Sequence, residues 1–124
     1  MIKKRVSASA LAVCASILLA STAEGKTEQM VTSWYQCCNG QTASGYRFDA
    51  TNRTIAAHRS YDFGTRLLLA YNGKTLCSTV RDRGPYTKKN GRFTRDLDVT
   101  RAAAEYLGFK ERGIATLQVT KHGC

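Results

Sequence analysis

Val80-Arg81-Asp82-Arg83-Gly84-Pro85-Tyr86 places an aspartate between two arginines, shortly before the only proline of the chain. An apolar run precedes Asp82, and the Gly84-Pro85 pair that follows is a strong turn signal, because proline fixes its own φ and restricts the residue before it. Asp82 is therefore expected at the end of a strand, on a rigid scaffold but within reach of solvent. A carboxylate held there suits acid/base chemistry or the binding of a polar ligand. An ordinary surface ion pair at a turn is the alternative interpretation.

The residues before Asp82 predict a β-hairpin. Arg66 to Tyr71 is an apolar strand, and Asn72-Gly73 after it is the dipeptide typical of a type I′ turn. Lys74 to Arg81 is then the returning strand, and it ends at Asp82.

Further strands are expected on both sides of this hairpin. The segments are Met30 to Tyr35, Thr54 to His58 and Ile114 to Val119, the last of which alternates Ala115, Leu117 and Val119 with more polar residues. The charged segment from Lys88 to Gly91 is predicted to be a mobile loop. Asp96-Leu97-Asp98-Val99 leads from there into a helix.

One short helix is predicted over Arg101 to Leu107. Thr100 is placed to cap its N-terminus and Gly108 to end it. A face of Ala103, Tyr106 and Leu107 is expected to pack on the sheet. About six short strands and one short helix indicate a mainly β protein, a small closed barrel.

The first 23 residues have the pattern of a signal peptide. Lys3, Lys4 and Arg5 form a positive n-region, an uncharged apolar stretch follows from Ala8 to Ala20, and Ser21-Thr22-Ala23 offers small residues for cleavage. The apolar stretch is short for a membrane span of ~20 residues. Residues 24–29 are predicted to be a short polar lead and residues 30–124 the domain. The product is expected in the periplasm or outside the cell. Cys14 is a poor lipoprotein site, because the apolar run continues past it.

Four cysteines follow the predicted cleavage site, which behind a signal peptide indicates two disulfides. A bridge between the adjacent Cys37 and Cys38 is sterically strained. We therefore expect each of them to bond one of Cys77 and Cys124, in an order that the sequence leaves open. Zinc is the competing use of four cysteines, but the two separated C-x-x-C pairs of a structural site are missing. No metal and no other cofactor is expected.

The chain is strongly basic, with a formal net charge of +10 that falls to +7 once the three n-region cations are removed. A basic surface outside the cytoplasm suits an anionic matrix such as nucleic acid, anionic lipid or an acidic cell-wall polymer. The cations are scattered and no nucleic-acid-binding motif is present. No nucleic-acid partner and no stable membrane insertion are therefore expected, and the protein is expected to be a monomer.

Six separated phrases, taken together and in this order, resemble the RlpA (rare lipoprotein A) family. They are Ser33-Trp34-Tyr35, Thr42-Ala43-Ser44-Gly45, Ala56-Ala57-His58-Arg59, Phe63-Gly64-Thr65, Asp82-Arg83-Gly84-Pro85-Tyr86 and Asp98-Val99-Thr100-Arg101-Ala102-Ala103-Ala104. The resemblance covers roughly Val31 to Val119. It implies a six-stranded double-psi β-barrel with one or two short helices, related in fold to barwin and to the first domain of expansins.

The resemblance also implies an activity. Members of the family are lytic transglycosylases that act on peptidoglycan glycan strands and favour strands stripped of stem peptides. Expansin relatives instead loosen polysaccharide networks without cutting them. This chain is thus expected to be an exported lytic transglycosylase that yields 1,6-anhydro products, or alternatively a non-catalytic wall-binding barrel. A secreted inhibitor or wall-perturbing effector is a third reading.

Carried over residue by residue, the resemblance puts the catalytic aspartate at Asp82 and the assisting histidine at His58. Asp98 falls on the aspartate that opens the last phrase, and we expect substrate contacts from Asp98, Ser44 and Arg83. The chain departs from the family at Tyr46, where members commonly have a glutamate in the groove. Tyr46 is expected to stack on sugar rings.

Several of these residues have a structural alternative. His58 suits proton sharing with Asp82, since its reference pKa is ~6.5, but a histidine at a strand end also holds a loop by a hydrogen bond. Trp34 is either a sugar-stacking residue or a core anchor. Asp98 is either the carboxylate beside Asp82 or a structural residue before the Thr100 cap.

A lytic transglycosylase can work with a single carboxyl group, whereas hydrolysis of a glycoside normally takes two. The acid must hold its proton near neutral pH, which burial or a neighbouring carboxylate such as Asp98 favours. Arg81 and Arg83 oppose this unless they point away. Alternation along a strand sends Arg81 to the face opposite Asp82, while the direction of Arg83 is left open.

Overall fold

The computed structural model describes residues 26–36 and 40–124. The predicted signal peptide, residues 1–23, lies outside this part of the chain, and so do Cys37 and Cys38. Within it, no helix is long and apolar enough to cross a membrane.

Six strands close into a barrel in the order β1-β7-β2-β4-β3-β8, which confirms the predicted mainly β architecture. The strands are β1 (Thr27–Tyr35), β2 (Ile55–Ala57), β3 (Arg66–Tyr71), β4 (Lys74–Asp82), β7 (Leu97–Thr100) and β8 (Ile114–Lys121). A separate hairpin is formed by β5 (Lys88–Lys89) and β6 (Arg92–Phe93). Helix α1 (Arg101–Leu107) and a 3-10 turn η1 (Lys110–Arg112) complete the described fold.

Two parallel pairs run through the barrel. β1 pairs with β7 in parallel, and β2 pairs with β4 in parallel, whereas the other neighbours are antiparallel. β1 begins at Thr27, earlier than the predicted Met30, because its exposed first residues still form backbone pairs with β8 up to Thr120. The alternation predicted for β8 is confirmed, since Ala115, Leu117 and Val119 are buried.

The interior of the barrel is filled by aliphatic side chains from the barrel strands together with α1 and Phe109. Fully buried members include Leu67, Leu69, Val80, Leu97, Val99, Leu107, Phe109, Leu117 and Val119. The hydrophobic effect of this burial, about 1.5–3 kcal/mol for each large side chain, is what fixes the ends of β4 and β7 in place.

The predicted helix and its caps are confirmed. Thr100 Oγ1 accepts a hydrogen bond from the Ala103 amide, and Gly108, with φ at 95°, donates to the Ala104 carbonyl. The predicted packing of Tyr106 on the sheet is wrong, because Ala104 takes that place beside Ala103 and Leu107. Tyr106 lies on the exposed flank, where the Arg53 guanidinium sits 4.4 Å from its ring centroid.

Two Asn-Gly turns connect antiparallel strands. Asn72 and Gly73 have φ values of 53° and 79°, as a type I′ turn requires, which confirms the β3–β4 hairpin. Asn90 and Gly91, at 53° and 77°, make the same turn between β5 and β6. Lys88 to Gly91 is therefore part of a paired hairpin, and the prediction of a mobile loop is wrong.

The disulfide joins Cys77 to Cys124, 47 residues apart, with their Cα atoms separated by 6.0 Å. The prediction that Cys37 and Cys38 each bond one of these two cysteines is therefore wrong. The barrel register explains the pairing: Leu68 of β3 lies between Cys77 of β4 and Thr120 of β8. The chain beyond β8 then folds back over β3, where Gly123 packs on the Leu68 side chain.

Candidate functional site

Asp82 stands at the last residue of β4, as predicted from the Gly84-Pro85 signal. β4 lies beside β2, where Ala57 pairs with Asp82 across an irregularity in the register between Ala56 and Ala57. The backbone amide of His58 donates to the Asp82 carbonyl at 3.2 Å. These contacts hold the main chain at Asp82 while its half-buried side chain reaches the surface.

Three donors surround the Asp82 carboxylate. The Tyr35 hydroxyl donates to Oδ2 at 2.8 Å. The amide of Ala43 donates to Oδ1 at 2.8 Å, and that of Arg83 donates to the same oxygen at 2.9 Å. Such an arrangement fixes the carboxylate plane and stabilises its negative charge.

The Ala43 amide is aimed at Asp82 by a tight turn over residues 42–46. Thr42 donates through both its amide and its hydroxyl to the Tyr46 carbonyl, at 2.9 and 2.8 Å. The Ser44 amide donates to the Arg81 carbonyl at 3.1 Å, which ties the turn to β4. Gly45, with φ at 88°, supplies the left-handed backbone that the turn needs. Ser44 thus belongs to the site as a support of this turn.

A second carboxylate, Asp98, lies two strands away on the same row of the barrel. Ala57 of β2 pairs with Asp82 on one side and with Asp98 of β7 on the other. Paired residues on neighbouring strands point to the same face, so the two carboxylates flank the small Ala57 side chain. The Ser33 hydroxyl donates to Asp98 Oδ1.

Burial and the negative charge of Asp82 raise the pKa values of Asp98 and Tyr35. Burial raises the pKa of Asp98, while the Ser33 hydrogen bond and Arg95 lower it and the charge of Asp82 raises it further. Burial, the hydrogen bond to Asp82 and the negative charges of Asp82 and Asp98 raise the pKa of Tyr35 far above its ordinary value. Tyr35 therefore remains a permanent hydrogen-bond donor to Asp82.

The flanking arginines point away from Asp82. The Arg81 guanidinium lies 4.4 Å from the centroid of the Tyr46 ring. Arg83 donates to the carbonyls of His58 and Tyr61 at 3.2 and 2.9 Å and lies over the Phe63 ring. Arg83, expected to contact substrate, is thus engaged in holding the 58–61 segment. No ion pair involves Asp82 among the residues that the structure describes.

His58 is buried beside the site, but among the described residues its imidazole makes no hydrogen bond to the Asp82 carboxylate. Its Nδ1 accepts from the amides of Ser60 and Tyr61, both at 3.1 Å, and its ring stacks on Tyr61 with centroids 3.6 Å apart. Burial, assisted by the charges of Arg59 and Arg83, lowers the pKa of His58 to about 4. The ring is therefore neutral at pH 7, and the proton it carries is on Nε2, since Nδ1 is an acceptor.

A cleft of about 490 Å³ opens beside His58, and its walls include Glu28, Arg59, Tyr61 and Asp96. Arg59 and Asp96 form an ion pair across it, at 3.8 Å. The structure thus joins His58 to Asp82 through the main chain and turns its ring toward this adjoining cleft.

The two aromatic residues expected to bind sugar lie in different places. Trp34 is on the core face of β1, where its Nε1 donates to the Lys110 carbonyl at 3.0 Å, and so it is not brought to Asp82. Tyr46 is 41% exposed on the turn beside the site. Tyr35 packs on Phe48 with ring centroids 4.9 Å apart, which extends the aromatic surface next to Asp82.

Sequence reasoning missed the hydrogen-bonding roles of Ser33 and Tyr35. A signal was present, because residues two apart on a strand share a face, and Ser33 and Tyr35 alternate with the inward-facing Trp34. The hydrogen bond from the Ala43 backbone amide to Asp82 could not be predicted in this way, since it does not depend on the identity of the side chain.

The site offers carboxylate and hydroxyl groups for proton transfer. In the parts of the chain covered by the structure, no three His, Cys, Asp or Glu side chains converge in a way that would hold a metal ion. Two carboxylates and a protonated tyrosine can exchange a proton with a ligand oxygen.

Comparison with known proteins places this chain in a family. Residues 27–119 match the family model described as lytic transglycolase, a double-psi β-barrel family. "Probable endolytic peptidoglycan transglycosylase RlpA" of Treponema pallidum is 36% identical over 125 residues, covering 98% of this chain and 37% of the relative. "Endolytic peptidoglycan transglycosylase RlpA" of Neisseria meningitidis serogroup A is 34% identical over 91 residues, covering 70% of this chain and 36% of the relative. The chain thus spans little more than a third of the length of these relatives.

The fold has a solved counterpart in the Streptomyces papain inhibitor (SPI). The two chains superpose with a TM-score of 0.63 at 21% sequence identity, covering 79% of this chain and 96% of that one. This likeness concerns the fold alone. With the family match over residues 27–119, it confirms the expected double-psi barrel. The chain belongs to the RlpA-like family of double-psi β-barrel domains described as lytic transglycolases.

Proposed function

We propose that this chain is an exported peptidoglycan-active domain that cleaves glycan strands as a lytic transglycosylase, with Asp82 as its acid and base. The observation that carries the proposal is the fixed carboxylate of Asp82, bound by the Tyr35 hydroxyl and two backbone amides at the barrel surface. The names of the relatives support peptidoglycan as the substrate class. Export rests on the pattern of residues 1–23, and the domain is proposed to act as a monomer on strands stripped of stem peptides.

The reaction has two proton transfers. The Asp82 carboxyl group gives its proton to the glycosidic oxygen as the bond from that oxygen to the anomeric carbon breaks. The resulting carboxylate takes the proton of the muramic acid C6 hydroxyl, whose oxygen bonds to the same anomeric carbon and yields a 1,6-anhydro end. The nucleophile belongs to the substrate, so the entropic advantage of an intramolecular step is built in.

The neighbours of Asp82 fit the carboxylate half of this cycle, and Asp98 places a second carboxylate on the same row of the barrel. In the ionised state, the Tyr35 hydroxyl and the amides of Ala43 and Arg83 stabilise the charge on Asp82. Neither Arg81 nor Arg83 competes for the carboxylate, because both guanidinium groups are engaged elsewhere.

His58 is proposed to assist as a neutral donor. With Nδ1 occupied by the amides of Ser60 and Tyr61, only Nε2–H is free to donate to a glycan oxygen in the adjoining cleft. A role in which His58 shares a proton directly with the Asp82 carboxylate has no support from the ring's orientation.

A second function, glycan binding without cleavage, is favoured by Tyr46. Family members commonly have a glutamate in the groove at this position. The Tyr46 ring of this chain is exposed, and the Arg81 guanidinium lies against it, 4.4 Å from the ring centroid. A flat aromatic surface next to a cation suits stacking on sugars better than proton transfer.

Product analysis separates the two functions. The oxidised protein is incubated with purified sacculi, intact and amidase-stripped, and the soluble fragments are identified by mass spectrometry beside Asp82→Asn. The matched control is Asp62→Asn, which changes an exposed carboxylate outside the site. Anhydro-ended fragments from the wild type and the control, but not from Asp82→Asn, establish the enzyme. Binding to sacculi without fragments from any of the proteins overturns the enzymatic proposal and leaves the binding function.

A further inference from the structure

The connection between β4 and β7 carries an unusual concentration of positive charge. Residues 83–96 contain two lysines and three arginines against one acidic residue, Asp96. The β5–β6 hairpin forms the middle of this connection, and Lys88, Lys89 and Arg92 are exposed on it. We call Lys88 to Phe93 the basic hairpin.

The basic hairpin keeps like charges opposite each other. Lys89 pairs directly with Arg92 across the two strands, where side chains lie about 5 Å apart at Cβ and like charges are destabilising. None of the three cations forms an ion pair with an acidic residue of the described chain. Uncompensated repulsion of this kind is relieved when an anion binds.

Aromatic and backbone contacts hold the hairpin in position. Lys88 Nζ lies 4.7 Å from the centroid of the Phe93 ring, and the Arg59 guanidinium covers the same ring at 3.8 Å. Arg59 also donates to the carbonyls of Pro85 and Arg95, on the two connections that flank the hairpin. The hairpin is therefore attached to the barrel at its base.

The connection that carries the basic hairpin begins and ends beside the candidate site. The connection leaves β4 at Asp82 and enters β7 one residue before Asp98. An extended chain covers at most ~3.5 Å per residue, so the Cα atom of Lys88 lies within roughly 20 Å of that of Asp82, and the Cα atom of Phe93 lies equally near that of Asp98. A glycan strand bound at Asp82 can extend over the hairpin.

We propose that the basic hairpin binds the lactyl carboxylates of peptide-free muramic acid along the same glycan strand, an inference that rests on the proposed function. Muramic acid carries its lactyl carboxyl group directly on the sugar ring, and removal of the stem peptide leaves it as a free carboxylate. A stripped strand is thus a linear polyanion with one charge at each muramic acid. Stem-peptide carboxylates lie further from the rings and are accompanied by ammonium groups, so they fit a short hairpin at the site less well.

The test measures binding by sedimentation with three preparations of sacculi: intact, amidase-stripped, and stripped with the carboxyl groups converted to methylamides. The protein is the full chain, either wild type or K88Q/K89Q/R92Q. K88R/K89R/R92K retains the charges, and K74Q/K110Q/R112Q removes the same number of charges around α1 and the Asn72-Gly73 turn. Thermal unfolding of each variant shows whether the barrel is intact.

At an ionic strength near 0.01 M the Debye length is ~30 Å, so charges on the hairpin act over a long distance. Under these conditions K88Q/K89Q/R92Q is expected to bind stripped sacculi about tenfold more weakly than the wild type. The difference is expected to vanish at about 1 M salt and on the methylamide sacculi, while the other two variants bind like the wild type. Equal weakening on methylamide sacculi, or equal weakening by K74Q/K110Q/R112Q, overturns the proposal. A larger effect on intact than on stripped sacculi assigns the hairpin to stem peptides and overturns it as well. Because binding needs no cleavage, a failed search for anhydro products leaves this comparison interpretable.

Discussion

Tyr35 on β1 donates a 2.8 Å hydrogen bond to Oδ2 of Asp82 on β4, although β7 and β2 lie between the two strands in the barrel. The residue of β2 that pairs with Asp82 is Ala57, whose side chain is small. The hydrogen bond thus joins two strands that are not neighbours in the barrel.

Tyr35→Phe is expected to remove this donor while keeping the ring that packs on Phe48. Hydrogen bonds to a charged partner contribute about 1.5–3 kcal/mol, so release of anhydro fragments is expected to fall roughly ten- to hundredfold. Initial rates on stripped sacculi provide the measurement. Tyr71→Phe, which removes a hydroxyl that accepts from Arg112 at the surface, serves as the control. Wild-type rates for Tyr35→Phe would show that Asp82 works without this contact.

His58 is expected to make the stability of the protein depend on pH. Its pKa is about 4 in the folded protein and ~6.5 in the unfolded chain. Between these values the unfolded chain binds more protons, so the free energy of unfolding rises with pH from about 4 to about 6.5 and is flat above. Through His58, the free energy of unfolding at pH 7 is expected to exceed that at pH 4 by at most about 3 kcal/mol.

Urea unfolding at several pH values between 4 and 7 measures this dependence. His58→Asn should flatten it, because an amide oxygen can accept from the Ser60 and Tyr61 amides without titrating. His122→Gln, at an exposed position, is the control and should leave the slope unchanged. A slope that survives in His58→Asn would assign the pH dependence to other groups.

The disulfide is expected to contribute about 2–4 kcal/mol to stability, as is typical for a bridge that closes a loop of this length. Cys124→Ser and Cys77→Ser should lower the free energy of unfolding equally, and the double variant should lose no more than either. Peptide mapping of the oxidised protein should recover Cys77 linked to Cys124. Recovery of either cysteine linked to Cys37 or Cys38 would contradict the pairing.

Local signals in the sequence predicted those parts of the fold that depend on a few neighbouring residues. Gly84-Pro85 marked the end of β4, Asn72-Gly73 marked the hairpin, and Thr100 with Gly108 marked the helix. Asn90-Gly91 carried the same hairpin signal, but charged residues around it hide the apolar alternation that normally accompanies a strand. The presence of the signal without the alternation led to the wrong prediction of a mobile loop.

Two contacts that the sequence did not predict depend on the order of strands in the barrel. The Tyr35–Asp82 contact joins residues 47 apart in sequence and exists only because β1, β7, β2 and β4 are neighbours in that order. The Cys77–Cys124 bridge likewise follows from the register of β4, β3 and β8. Arg83 was not placed by strand alternation because it lies beyond the strand end, where carbonyls of the 58–61 segment determine its direction.

Asp98→Asn is expected to separate stability from activity. Burial and the nearby charge of Asp82 raise the pKa of Asp98, which means that its ionised form is unfavourable in the folded protein. An asparagine keeps an oxygen for the Ser33 hydroxyl and removes the buried charge. The free energy of unfolding at pH 7 should therefore stay constant or rise by up to about 1 kcal/mol.

Activity should move in the opposite direction. Asp98→Asn removes the second carboxylate beside the proposed acid, so the rate of anhydro-fragment release at pH 7 is expected to fall about tenfold or more. Ser33→Ala provides the comparison, since it removes the hydrogen bond to Asp98 but keeps the charge, and it should reduce stability more than activity. If Asp98→Asn lowered stability and left the rate of fragment release unchanged, Asp98 would be a structural residue of β7, and Asp82 would act without a second carboxylate.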